Sequence, residues 1–113
     1  MTWEEASKAT LEEVKEAGVM AELKDYLRVD GDDDDAIVYW AAMAARQYII
    51  DAVGEFDEAN SSAKMLFYAL TQEFYDNRTL MQSDIQQRLR QRYSYQSVIL
   101  QLQMAKELKD GEA

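Results

Sequence analysis

Cysteine, histidine and proline are absent from the 113-residue chain, and only four glycines are present. Without cysteine no disulfide and no thiolate metal site can form, which suits a reducing compartment. Without histidine the commonest general base and the commonest metal ligand are both gone. The few glycines make no phosphate-cradling loop. No run approaches the ~18 uninterrupted apolar residues of a membrane span, so no membrane partner is expected. No basic segment followed by an apolar run marks a secretory leader. Carboxylate pairs such as Glu4–Glu5 and Glu12–Glu13 fall on a solvated helix surface, with no apolar surroundings to raise a pKa. A non-enzymatic protein is therefore expected, with no catalytic residue, no cofactor and no metal ligand assigned. No internal repeat is visible.

What is present describes an ordinary globular chain, 48% hydrophobic and 30% charged, of a size expected to form one domain over residues 1–113. The formal net charge is −10, and it is unevenly placed. Residues 1–60 hold 16 acids and 5 bases, whereas residues 61–113 hold 6 acids and 7 bases. An acidic first half argues against tight wrapping on nucleic acid, whose affinity comes from cations set against phosphates. It also gives the molecule two electrostatically different ends, able to orient it in an assembly.

The chain is organised around Val29, Asp30, Gly31 and the run Asp32, Asp33, Asp34, Asp35, followed by an alanine-rich apolar segment ending at Gly54. The four consecutive aspartates read as a helix cap, because a capping carboxylate accepts bonds from unpaired backbone N–H groups and suits the positive end of the helix dipole. Gly54 reads as the stop. A calcium loop is the alternative to the cap: Asp30, Asp32 and Asp34 match the first three ligand positions of an EF-hand. Asp35 then stands where glycine is needed and Ala41 where a bidentate glutamate is needed, so capping is preferred. Within the helix, Val38, Ala41, Ala42, Ala45, Ile49 and Ala52 make one apolar face. Trp40, Met43 and Ile50, with Tyr39 beside them, make a second. A helix apolar on several sides is buried on several sides. The second stripe either packs on Trp3, Leu11 and Val14 or forms a subunit interface, and Trp40, Met43, Ile50 and Tyr39 are the candidate interface residues.

Residues 2–17 read as helical, with Thr2–Glu5 a capping box and Thr10–Glu13 a second start. Trp3, Leu11 and Val14 are the expected buried residues, and Gly18 breaks the segment. Residues 19–28 resume a helical pattern, with Met20, Leu23, Tyr26 and Leu27 on one side. After a polar connection over 55–60, Ser61 or Ser62 is expected to cap a helix reaching about Asn77, with Leu66, Phe67, Ala69, Leu70 and Phe74 at the centre of the core. Residues 97–109 read as a last helix burying Val98, Leu102 and Ala105. The expected fold is all-α: a small antiparallel bundle of about four helices with a flexible arm over 79–95 before the C-terminal helix. On that arm Arg88, Arg90 and Arg92 are spaced by two, with Tyr93 and Tyr95 close by. Arginine and tyrosine are frequent interface anchors, so these five are assigned to contact with a partner protein rather than with nucleic acid.

Leu23–Asp30, the aspartate run with Ala36 and Ile37, Ala44–Ile49 and Gly54 together resemble the opening of the head–tail connector (adaptor) proteins of long-tailed phages. Phe74-Tyr75-Asp76-Asn77-Arg78 is similar to that family's aromatic–acid–Asn–Arg segment, and Val98–Leu102 sits where the family has its short C-terminal helix. The similarity covers residues 20–80 well and 95–105 weakly, and it is carried by the order and spacing of the motifs. This chain departs from the family in Tyr39, Trp40, Met43 and Ile50, where relatives place polar residues. It also departs in its first nineteen residues, a helical extension, and in lacking the prolines before the third helix. The resemblance implies a structural virion protein. It would act as a homo-oligomeric ring of about a dozen subunits beneath the portal protein at the head–tail junction, assembled in the host cytoplasm. Such a ring extends the DNA channel and offers a surface to a downstream head-completion or tail protein. DNA would pass without specific binding, and the arginine-bearing arm would grip the portal. The alternative is a small acidic regulatory protein of a phage or prophage that binds another protein through its acidic surface.

Overall fold

A computed structural model describes residues 1–77 and 93–112 of the chain. Six helices run through them: α1 (Trp3–Ala6), α2 (Leu11–Glu16), α3 (Val19–Leu27), α4 (Asp35–Val53), α5 (Ser61–Asp76) and α6 (Tyr93–Glu112). The fold is a small all-α bundle, and no strand occurs among the described residues.

Local signals account for most boundaries. Thr2 and Glu5 form the capping box of α1, and the Thr10 hydroxyl accepts from the Glu13 N–H at the start of α2. Gly18 separates α2 from α3 at φ +82°, a left-handed turn that glycine takes without strain. Gly54 ends α4 at φ +101°, its N–H donating to the Ile50 carbonyl at 2.8 Å. Two boundaries depart from expectation. The cap of α5 is Asn60 rather than Ser61 or Ser62; its side-chain oxygen accepts from the Ala63 N–H, which leaves both serines inside the first turn. Helix α3 closes through Arg28, a non-glycine residue at φ 60°, with the Val29 N–H bonded back to the Lys24 carbonyl at 3.0 Å.

Helices α4 and α5 form the central pair. The Tyr75 hydroxyl at the end of α5 reaches Asp34 at the start of α4, so the two run antiparallel. Helix α6 runs antiparallel to α5 and alongside α4: Tyr95 lies against Glu73, Gln103 donates to the Ala52 carbonyl, and Lys109 reaches Glu55. The core lies between these elements. Phe67, Leu23, Ile49, Leu70, Val14 and Val38 are fully buried, and Phe67 packs on Trp3 and Phe56 with ring centroids 5.2 and 5.1 Å away. Thr71 is buried among them because its hydroxyl donates to the Phe67 carbonyl at 2.7 Å, which satisfies the one polar group it brings in. Ala69 and Phe74, expected at the centre, are half-buried at its edge.

Helix α1 is tied down by long-range bonds. The Glu58 carboxylate accepts from the Trp3 and Glu4 N–H groups at 2.7 and 3.2 Å, so the 54–60 connection caps α1 from outside. The Tyr26 ring stacks at 5.1 Å on Tyr68, whose hydroxyl is pushed up in pKa by burial and then by the facing Glu22 carboxylate.

Of the arm expected over 79–95, residues 79–92 lie outside the described residues. Residues 93–95 form the first turn of α6, which is longer at both ends than the sequence pattern over 97–109 suggested.

Candidate interaction surfaces

Three features stand out once the helices are in place: a charged cluster at the start of α4, apolar side chains turned outward on α4 and α6, and a groove between α6 and the 54–60 connection.

The aspartate run does not act as one unit. Asp35, the first residue of α4, is only 4% exposed and takes Lys24 Nζ at 2.7 Å and Lys15 Nζ at 3.4 Å. Lys24 also reaches the Gly31 carbonyl and, at 3.3 Å, Asp32. Burial pushes the Asp35 carboxyl up, and the hydrogen bonds and charges of Lys24 and then Lys15 outweigh it, so its pKa lies below the ordinary aspartate value. The hydrogen bond to Asp35 raises the Lys24 pKa in turn. Asp34 holds the N-cap position at φ −102°, ψ 10°, away from the extended backbone that aims a capping side chain at the helix. Its carboxylate makes no cap bond and accepts instead from the Tyr75 hydroxyl at 2.5 Å. Asp32 and Asp33 are exposed. The side-chain cap expected of Asp32, Asp33, Asp34 and Asp35 is thus replaced by pairing with α2, α3 and α5. Among the described residues no group of three or more acidic or histidine side chains is placed to hold a metal ion.

The four candidate interface residues on α4 separate. Trp40 is 68% exposed and points away from the bundle, with Ile37 one turn before it also exposed. Met43 and Ile50 are half-buried, and Met43 packs against the core. Tyr39 is only 8% exposed, and its hydroxyl donates to the Ala6 carbonyl at 3.1 Å, so it serves as the seat of α1. Neighbours on a helix lie about 100° apart, which turns Tyr39 inward and leaves Trp40 outside. Trp40 stays outside the core cluster that holds Trp3 and Val14, where Trp3 lies on Phe67.

Of the proposed partner contacts, Arg88, Arg90, Arg92 and the side chain of Tyr93 lie outside the described residues. Tyr95 is half-buried on α6, its hydroxyl 3.5 Å from Glu73.

Helix α6 carries a feature that the sequence reading missed. Its inner face is built from Ile99 and Leu102, with Val98 at the edge, while Ala105 is exposed. Leu100, Met104 and Leu108 form a second row, 56%, 55% and 69% exposed. Their spacing of four is the helical signal that would have found them, since Val98, Leu102 and Ala105 account for only one of the two apolar rows.

The groove, about 210 Å³, is lined by Val53, Asn60, Leu102 and charged side chains that include Glu55, Lys106 and Lys109. It is smaller than the ~300–1,000 Å³ usual for a small-molecule site. Its lysines are engaged: Lys109 with Glu55 at 2.7 Å and Lys106 with Asp110 at 2.5 Å. The Lys106 stem also crosses Gly54 so closely that a Cβ there would meet it at 2.9 Å.

No helix among the described residues is long and apolar enough to cross a membrane. Comparison with family models, with curated proteins and with solved structures gave no match.

Proposed function

We propose that the chain is a structural subunit of a homo-oligomeric ring beneath the phage portal, joining head to tail and extending the DNA channel. The observation that carries this reading is Trp40. The largest side-chain type in proteins stands 68% exposed in the second turn of α4, beside an aromatic neighbour that is buried within the chain. Large aromatics left outside a fold are enriched at the hot spots of protein interfaces. The resemblance of residues 20–80 to connector proteins supplies the kind of assembly, and the acidic first half suits a channel through which phosphate must pass without sticking.

The test is sedimentation of the purified chain together with portal rings. Co-sedimentation is expected, with loss on Trp40→Glu; failure of the intact chain to join the ring rejects the reading. Changing Arg88, Arg90 and Arg92 to Ala is expected to leave the helical circular dichroism intact and abolish portal binding, and unchanged binding rejects their assignment to the portal. The second reading, a small acidic regulatory protein, is favoured by the exposed carboxylates Asp30, Asp32 and Asp33 on one turn. It predicts capture of a nucleic-acid-binding protein, sensitive to Asp32→Asn and Asp33→Asn and indifferent to portal rings.

A further inference from the structure

The outward row of α6 is unlike the Trp40 surface in two respects. It carries little charge: around Leu100, Met104 and Leu108 the described side chains are Gln96, Ser97, Gln101 and Glu107, so among the described side chains one carboxylate marks this face of a chain with net charge −10. A basic peptide or a nucleic acid finds no charge partner here, and a second copy of this acidic chain meets less repulsion here than over the first half. The row is also its own complement. Set two copies of α6 antiparallel with Met104 on a two-fold axis, and Leu100 of one copy falls opposite Leu108 of the other. Gln101 then falls opposite Glu107, an amide facing a carboxylate, and Ser97 opposite Gly111, two small residues that let the backbones approach. A closed two-fold contact requires this self-matching of a single patch.

We propose that the outward face of α6 is a two-fold self-association surface, pairing two copies of the chain through Leu100, Met104 and Leu108. The proposal is independent of the portal ring. A face of one helix is small beside a standard interface of roughly 800 Å² per partner, so the pair is expected to be weak and to form only at high concentration.

Sedimentation equilibrium from low micromolar to about 1 mM reads it. The intact chain is expected to move from monomer to dimer. Met104→Glu brings two carboxylates together on the axis and is expected to weaken dimerisation roughly tenfold or more. L100K and L108E each weaken it, and the double variant recovers it, because each introduced ammonium then faces an introduced carboxylate on the other copy. Within one copy the two positions are eight residues apart and do not meet. All three side chains are more than half exposed, so the thermal midpoint of each monomer is expected to hold and loss of dimer is not loss of fold. The chain has no native cysteine, so Met104→Cys gives a clean probe: mild oxidation is expected to link two copies, and Leu100→Cys alone is expected not to. A monomer throughout the range, a dimer indifferent to Met104→Glu, or a double variant no better than its single parents overturns the proposal. Ring assembly on portals that Met104→Glu leaves untouched, with no free dimer, overturns it while the connector reading stands. A dimer that ignores portals does the reverse.

Discussion

At its N-terminal end α4 is held by Lys15 and Lys24 closing on Asp35, and at its C-terminal end by Lys109 closing on Glu55. The shortest contact at each end is 2.7 Å between an ammonium and a carboxylate. The media differ. The Asp35 side chain is 6% exposed and that of Lys24 14%, whereas Lys109 is 60% exposed and Glu55 32%. Coulomb attraction at fixed distance grows as the surrounding dielectric falls, and so does the penalty for leaving one charge behind when its partner is removed. The N-terminal end also gathers four elements: α2 through Lys15, α3 through Lys24, α5 through Tyr75, and α4 itself. At the C-terminal end the ion pair itself joins just two elements, the 54–60 connection and α6. Equal contact lengths therefore describe a buried clamp at one end and a solvent-exposed latch at the other.

The comparison is broken most severely at Asp35. Asp35→Asn keeps the shape and removes the charge, leaving the largely buried Lys24 ammonium to the exposed Asp32 for an opposite charge. Loss of a buried partner typically costs 3–5 kcal/mol, and the partial exposure of Lys15 places this case at the lower end, about 3 kcal/mol. Urea unfolding followed by circular dichroism is expected to show the midpoint falling by about 2 M. The pH dependence carries a sign. Because the folded Asp35 pKa lies below the ordinary value of 3.8, its contribution is complete above that value and is lost as pH falls through the folded one. Lys24, raised above 10.5, contributes fully below that value and loses its contribution as pH rises through the folded one. Asp35→Asn is thus expected to flatten both the acid and the alkaline limb of the stability profile. A variant with the same limbs as the parent would place the stabilising charge elsewhere.

Tyr75→Phe sharpens the same end by a smaller step. The hydroxyl donates to Asp34 at 2.5 Å in a half-buried setting, and removing a bond to a charged acceptor there is expected to cost about 1 kcal/mol in urea unfolding. Combined with Asp35→Asn the two losses are expected to fall short of additive, since both release the start of α4.

These contacts mark where reading the chain as text stops. Thr2 with Glu5, Thr10, Gly18 and Gly54 are signals contained within a turn, and each sits where its local chemistry placed it. The all-α architecture follows from such signals and from helical periodicity. Asp35 is different in kind. Nothing within a turn of it separates it from Asp32 and Asp33, and its fate is decided by lysines 11 and 20 residues earlier in the chain that α2 and α3 bring together. Tyr39 and Trp40 show the same limit at single-residue resolution: two adjacent aromatics are equivalent in composition, and only the placement of α1 decides which is covered. The outward row of α6 was legible in principle, because two apolar rows share one helix; taking one of them as the inner face hides the other.

The smallest expected effect lies at the far end of α4 and decides whether burial is the right variable. Glu55 raises the Lys109 pKa through a direct hydrogen bond, as Asp35 raises that of Lys24. A shift of this kind on a solvent-exposed ammonium does not carry over into folding stability, because water and salt screen the pair and the long side chain gives up rotamer freedom to hold it. Lys109→Ala is therefore expected to leave the urea midpoint unchanged within error at 0.15 M salt. The parent protein is expected to respond equally little when salt is raised to about 1 M, where the screening length is near 3 Å. Should Lys109→Ala lower the midpoint as far as Asp35→Asn, the contrast drawn from exposure fails. The docking of α6 would then depend on that single pair, rather than on Ile99 and Leu102 beneath it.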